Sequence, residues 1–338
     1  MVHGPRGTRV RLHRRRHRAL GAAPRGLVDE ASLAGPRERA LAAAPVRVVS
    51  ARVGLGRRLA NLWSRRELLW GLVFSDIRIK YKNSALGIFW SMLSPAFTLA
   101  VYYMVFSLFL KNGIPNFVVY LFAGLVVWNM FLTAVSTATG VIVDRAALVK
   151  KVSFPREILA LSNVGAAIVY FVVQVVVLVV FLLVLRHAPA WGFLWLLPVS
   201  FLALAAFSAA LSVVMSAVNV YFRDMKHLIE VVLQLWFWLT PVVYSYENSI
   251  APHLAAHGLS ILYFLNPVTL VVVTFQRVFY VTPVVHSTVT GQVLNILPTW
   301  SFARFLELNL ALLALSLVAF VVAEAVFGRL EGNFESEL

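Results

Sequence analysis

The chain is 338 residues long, 60% hydrophobic and only 13% charged, with a mean hydropathy of +0.81. Soluble domains carry about a quarter charged residues, so this composition excludes a soluble fold. The net charge of +15 comes from 30 Lys and Arg against 15 Asp and Glu, and there is no cysteine, which excludes disulfides, thiolate-bound metals and thiol catalysis.

Residues 1–60 are rich in Arg, Ala, Gly and Pro, include the basic run Arg14 to Arg16, and hold no sustained helical period. They read as a disordered basic tail, an extension rather than a nucleic-acid-binding arm. They also lack the apolar core of about 7–15 residues that a signal peptide requires, so insertion is expected to use internal spans. From Arg65 to Lys82 the pattern changes. Leu69, Trp70, Val73, Phe74, Ile77 and Tyr81 share one helical face, and Glu67, Ser75, Arg78 and Lys82 fall on the other. This predicts a helix over 65–82 lying at the cytoplasmic membrane interface.

A hydrocarbon core of about 30 Å needs roughly 20 apolar residues at a rise of about 1.5 Å each. Charge-free runs predict spans over 86–110, 117–143, 158–185 and 191–220. Two further spans follow over 228–246, which carries only Glu230, and 308–327, which carries only Glu324; both acids lie near span ends and are expected to snorkel. The apolar stretch 259–281 is interrupted by Asn266-Pro267 and carries Arg277. It is expected to form a pair of short re-entrant helices, since broken backbone at membrane depth is tolerated when packed in protein. The predicted fold is an all-α membrane protein: a tail at 1–60, a transmembrane domain at 61–327 with six transmembrane helices, an N-terminal interfacial helix and outer re-entrant helices, and a tail at 328–338.

Orientation follows from Lys and Arg near the membrane. With six spans, Arg65, Arg66, Arg78, Lys80, Lys82, Arg145, Lys150, Lys151, Arg156, Arg223 and Lys226 fall on one side, and only Lys111, Arg186, Arg277 and Arg304 on the other. The rule makes the first side cytoplasmic and places both termini there.

Five motifs then occur in order. Arg78-Ile79-Lys80-Tyr81-Lys82-Asn83-Ser84-Ala85-Leu86-Gly87 leads into Trp90 and Pro95; Lys150-Lys151-Val152-Ser153-Phe154-Pro155-Arg156-Glu157 joins the second and third spans. Tyr221-Phe222-Arg223-Asp224-Met225-Lys226-His227-Leu228 precedes Thr240-Pro241-Val242-Val243-Tyr244; Asn266-Pro267 and Arg329-Leu330-Glu331-Gly332-Asn333-Phe334 complete the set. From about residue 61 to 338 this series resembles the ABC-2 permeases that export O-antigen, teichoic acid and related polysaccharides. The resemblance implies a homodimer of six-span subunits in the bacterial cytoplasmic membrane, each docked to a separate ATPase subunit, with polyprenyl-diphosphate-linked glycan passing between the permeases. The sequence agrees on one point: it holds no Gly-x-x-x-x-Gly-Lys-Ser/Thr loop to cradle ATP.

The candidate coupling residues are Arg145, Lys150, Lys151, Pro155, Arg156 and Glu157, with Arg223 and Asp224, which alternatively pair with each other. Pro155 is suited to a helix start. Arg78, Lys80, Tyr81 and Lys82 are candidates for a lipid diphosphate or for ordinary membrane lipids, and Trp90, Tyr102, Trp128 and Trp236 for channel aromatics. Another lipid or drug substrate, or a membrane-embedded glycan or acyl transferase, are the alternatives. The latter needs placed carboxylates or histidines. His253 and His257 are spaced like a metal pair but lack the intervening Glu and a third ligand, so no metal or other cofactor is expected. Asn129, Gln174 and Gln234 stand as isolated polar residues within spans.

Overall fold

The computed structural model describes residues 55–82, 90–111, 113–152, 154–256, 263–281, 284–286 and 293–338. The predicted tail lies outside these but for its last six residues, 55–60, and so do Asn83 to Phe89 of the first motif, Ser153 and His257. The helices in chain order are α1 (Leu55–Ser64), α2 (Arg66–Tyr81), α3 (Trp90–Tyr103), α4 (Phe117–Asp144), α5 (Ala146–Lys151), α6 (Glu157–Val184), α7 (Leu196–Tyr221), α8 (Met225–Trp238), α9 (Ala251–Ala256), α10 (Pro267–Phe279), α11 (Phe302–Leu330) and α12 (Phe334–Glu337). Val284 pairs with Asn295 and His286 with Val293 in antiparallel register, so the described residues depart from all-α by two strands of three residues each.

Among the described residues four helices are long and apolar enough to cross a membrane: α4, α6, α7 and α11 with its continuation to Asn333. They correspond to the predicted second, third, fourth and sixth spans. Helix α4 is the hub. Its Tyr120, Leu121, Ala123, Val126, Val127 and Phe131 are fully buried, because α6, α7, α8 and α10 all pack against it.

The other two predicted spans take a different form. Helix α3 has 14 residues, contains Pro95, and runs into a π-helical turn, Met104–Phe109; a proline inside a helix removes one hydrogen bond and crowds the preceding turn. The 228–246 stretch is not one helix. Helix α8 ends at Trp238 because Pro241 disfavours helical backbone at Thr240. The carbonyls freed by that break find partners within the protein. Tyr120 Oη donates to the Tyr244 carbonyl at 2.7 Å and Gln276 Nε2 to the Pro241 carbonyl at 3.0 Å, which is the condition for broken backbone in an apolar setting.

In the 259–281 region, the described helix α10 begins where Asn266 caps the Val268 amide and Pro267 occupies the first turn. Its 13 residues are nearly all buried. It is held to α7 and α11 through Asn309, whose Nδ2 donates to Thr274 Oγ1 at 3.0 Å while its Oδ1 accepts from Ser200 Oγ at 2.7 Å. Such small polar contacts fix helices that lack a hydrophobic drive to associate in lipid.

Helix α2 corrects the expectation of a single apolar face. Val73 is 1% exposed and packs on α6 at Gly165, where an added Cβ would meet Val73 Cγ2 at 2.6 Å. Only a glycine permits that approach. Trp70 and Phe74 are instead 53% and 58% exposed, with ring centres 6.1 Å apart. The helix thus has one face for the protein and a separate aromatic face.

Candidate transport site

A cavity of about 630 Å³ lies among α2, α3, α4, α6 and α8. Its apolar wall is aromatic: Tyr102 stacks on Phe237 with ring centres 5.6 Å apart, and Trp128 meets Phe237 edge-on at 5.3 Å. Its polar wall carries Thr98, Thr133, Asn129, Gln174, Gln234 and Glu230. Asn129 and Gln174 are not isolated, as the sequence reading had them: Asn129 Nδ2 donates to Gln174 Oε1 at 3.2 Å. The bond uses one Asn129 donor and the Gln174 oxygen as acceptor, and leaves the Asn129 oxygen and the Gln174 amino group available to a guest. Lys80 reaches this cavity from α2, its ammonium 4.5 Å from the centre of the Tyr170 ring. Partial burial of that ammonium lowers its pKa from the usual lysine range.

Flat rings and amides around a common space suit hydroxyl-rich, weakly polar guests: rings cover the C–H faces of a sugar and amides exchange hydrogen bonds with its hydroxyls. Of the sequence-derived aromatics, Tyr102 and Trp128 line this space. Trp236 does not. Its Nε1 donates to Asn266 Oδ1 at 2.9 Å, and its ring packs on Phe131 and Phe207 inside the bundle. Helix α3 begins at Trp90, but the Trp90 and Tyr81 side chains lie outside the described residues. Arg78 and Lys82 are exposed.

The loop before α6 divides its charges. Lys150 and Lys151 are exposed at the end of α5. Arg145 turns inward and pairs with Asp76 of α2, and Ser162 Oγ lies 3.4 Å from the other Asp76 oxygen. Pro155 is half-buried ahead of α6. Arg156 Nη1 donates to the Glu331 carbonyl at 3.2 Å, and its guanidinium lies 5.9 Å from the Phe334 ring centre. Glu157 is 2% exposed. Arg223 and Asp224 are both exposed and, among the described residues, do not pair with each other.

One of the two acids expected to snorkel, Glu324, behaves differently. Glu230 is exposed at the cavity. Glu324 is 0% exposed and neither carboxyl oxygen has a hydrogen-bond partner; it sits near Glu157, Glu331 and Arg58 of α1. Arg58 pairs with Glu331 and reaches the Glu324 carbonyl at 3.5 Å, over Gly328. The sequence reading missed Asp76, Tyr170 and Arg58. Asp76 sits between Ser75 and Ile77 on a helix read as two-faced, and nothing local marks it as the anchor of a residue 69 positions away. Among the described residues no three His, Cys, Asp or Glu are grouped to hold a metal ion.

Residues 67–280 match the model of the ABC-2 type transporter membrane family. Over 188 residues the chain is 35% identical to the O-antigen export system permease protein RfbA of Myxococcus xanthus, a match covering 56% of this chain and 72% of that one. A Klebsiella pneumoniae protein of the same name is 31% identical over 185 residues, 55% of this chain and 71% of its own length.

Proposed function

The chain belongs to the ABC-2 type transporter family, and from that premise we propose that it is the membrane-spanning permease of an exporter of polyprenyl-diphosphate-linked polysaccharide, of O-antigen type. The observation that carries the reading is the cavity that joins stacked aromatic faces, a bonded amide pair and one lysine. ATP hydrolysis belongs to a separate subunit in this reading, and Lys150 and Lys151, exposed and without an ion pair among the described residues, are the cations offered to it. Arg223 and Asp224 stand beside them as a second exposed contact. Asp76 and Arg145 tie that loop to the helix bearing Lys80, giving a route from the ATPase side to the cavity. Arg78, Lys80 and Lys82 suit the carrier's diphosphate.

In the proposed arrangement both termini are cytoplasmic, α3 and α8 complete six crossings in the inner membrane, and a second copy covers the exposed apolar faces of α3 and α8, where Phe97 and Leu235 are 59% and 62% exposed. The test is complementation of a strain lacking the gene. Trp128→Ala and Gln174→Ala should each lower surface polysaccharide while the permease stays abundant in the membrane, with lipid-linked glycan accumulating inside. Unchanged surface polysaccharide in the double variant would leave the cavity without a part in export.

A further inference from the structure

At the end of the bundle opposite the 145–157 loop, α10 closes on Arg277. Its guanidinium carbon lies 4.4 Å from the centre of the Phe193 ring, and Nη1 donates to the Val281 carbonyl at 2.9 Å. The Nε is buried with no acceptor. Among the described residues no carboxylate pairs with this arginine. The sequence explains why: between Glu230 and Glu324 the chain offers only Glu247 and Glu307, and Glu307 pairs with Arg304 at 2.8 Å.

The neighbouring segment offers basic residue types and no acid. His187 Nε2 lies 3.1 Å from the Tyr280 carbonyl, next to the Val281 carbonyl that Arg277 holds, and exposed Arg186 precedes it. Arg186 and Val281 both adopt positive φ, 54° and 72°. For a β-branched residue such as Val281 this conformation is costly and persists only where its surroundings hold it. Arg277 and His187 thus hold adjacent carbonyls of one fixed turn, and among the described residues no carboxylate faces them in an ion pair.

We infer that Arg277, with Arg186 and His187 beside it, binds the phosphate of a lipid head group. Phe193 covers one face of the guanidinium, Val281 engages Nη1 and Nε is buried, so Nη2 is the group left to donate a charge-assisted hydrogen bond to a phosphate oxygen. A half-buried guanidinium also loses hydration that a head group can replace. Ordinary phospholipid and the diphosphate of a polyprenyl carrier offer the same chemistry. Only the second source rests on the export reading above, in which this end is where the carrier emerges.

The experiment uses the full chain in nanodiscs with photoactivatable phosphatidylglycerol, polyprenyl diphosphate and, as the phosphate-free control, diacylglycerol. Adducts are mapped by mass spectrometry, and thermal unfolding confirms that each variant is folded. Both phosphate probes, or either one, should label 186–193 and 277–281 above the control. Arg277→Gln should reduce that labelling about tenfold, the scale of a lost charge-assisted contact, and Arg277→Lys should retain part of it. Labelling by phosphatidylglycerol alone upholds the site and removes the carrier from it. Labelling no stronger than with diacylglycerol, or undiminished in a folded Arg277→Gln, overturns the site, whereas the export reading is judged separately by surface polysaccharide.

Discussion

Lys150 and Lys151 differ from Arg145 and Arg156 in one respect that charge alone does not reveal. All four lie within a segment of a dozen residues, and all count equally toward the basic bias that orients the chain. Yet Arg145 is matched by Asp76 and Arg156 by the Glu331 carbonyl, while the two lysines are exposed at the end of α5. The arginines join distant parts of the chain; the lysines have no ion pair among the described residues. A cation's role in such a loop is set by whether the fold supplies its anion, and that is a property of helices brought together from 69 and 175 residues away.

The sharpest way to break this contrast is Arg145→Glu, which sets two carboxylates against each other in a largely buried site. Removing one partner of a buried pair typically costs about 3 kcal/mol or more, so the variant should fall in membrane abundance and unfold at a clearly lower temperature in detergent. Asp76→Arg combined with Arg145→Asp should restore most of the loss, because contacting residues are not additive. A single variant that melts like the native chain would reassign Arg145 to the outward set. A comparable test falls on α1. Arg58→Ala strips Glu331 of its partner beside the buried Glu324, with an expected loss of about 2 kcal/mol. Glu331→Gln in the same chain should recover part of it if repulsion among the carboxylates is the cause.

A smaller effect is expected where α2 meets α6. Gly165→Ala drives a methyl group into Val73, and overpacking of this kind costs about 1–3 kcal/mol. Val73→Ala should relieve it. Thermal unfolding checks stability, and export checks whether a loosened α2 still places Lys80. If Gly165→Ala is silent in both, α2 is not seated on α6 as described.

The reach of the sequence ends where contacts become long-range. The four long helices follow from uninterrupted apolar runs, which α-helical length alone turns into membrane-scale elements. Thr240-Pro241 and Asn266-Pro267 carry their own backbone restrictions, and α10's start at Pro267 follows from the second. The first, however, lies inside a run that reads as one span, and its helix break is sustained by Tyr120 and Gln276, which no local pattern connects to it. The same holds for the cavity. Tyr102 and Trp128 are conspicuous as aromatics, but Trp236 is equally conspicuous and faces Asn266 instead. Asn129 and Gln174 look solitary one at a time and become a pair only when α4 and α6 pack. Composition tells which residues are costly to bury, and packing decides which of them meet.

The smallest effect on the fold should accompany the largest on transport. Changing both Lys150 and Lys151 to Glu touches two exposed side chains with no ion pair among the described residues, so stability should stay within about 0.5 kcal/mol of the native chain, as is usual for such surface sites. A partner surface shaped for cations would then face carboxylates, and like-charge juxtaposition across an interface costs several kcal/mol, enough to abolish co-purification of the ATPase and, with it, surface polysaccharide. Including Arg156 in the reversal would confuse the result, since its loss also releases the Glu331 carbonyl and the Phe334 contact. The two-lysine variant keeps fold and coupling apart. Normal export with normal abundance would show that α5 is not where the ATPase acts, and the exposed Arg223 and Asp224 would be the next pair to reverse.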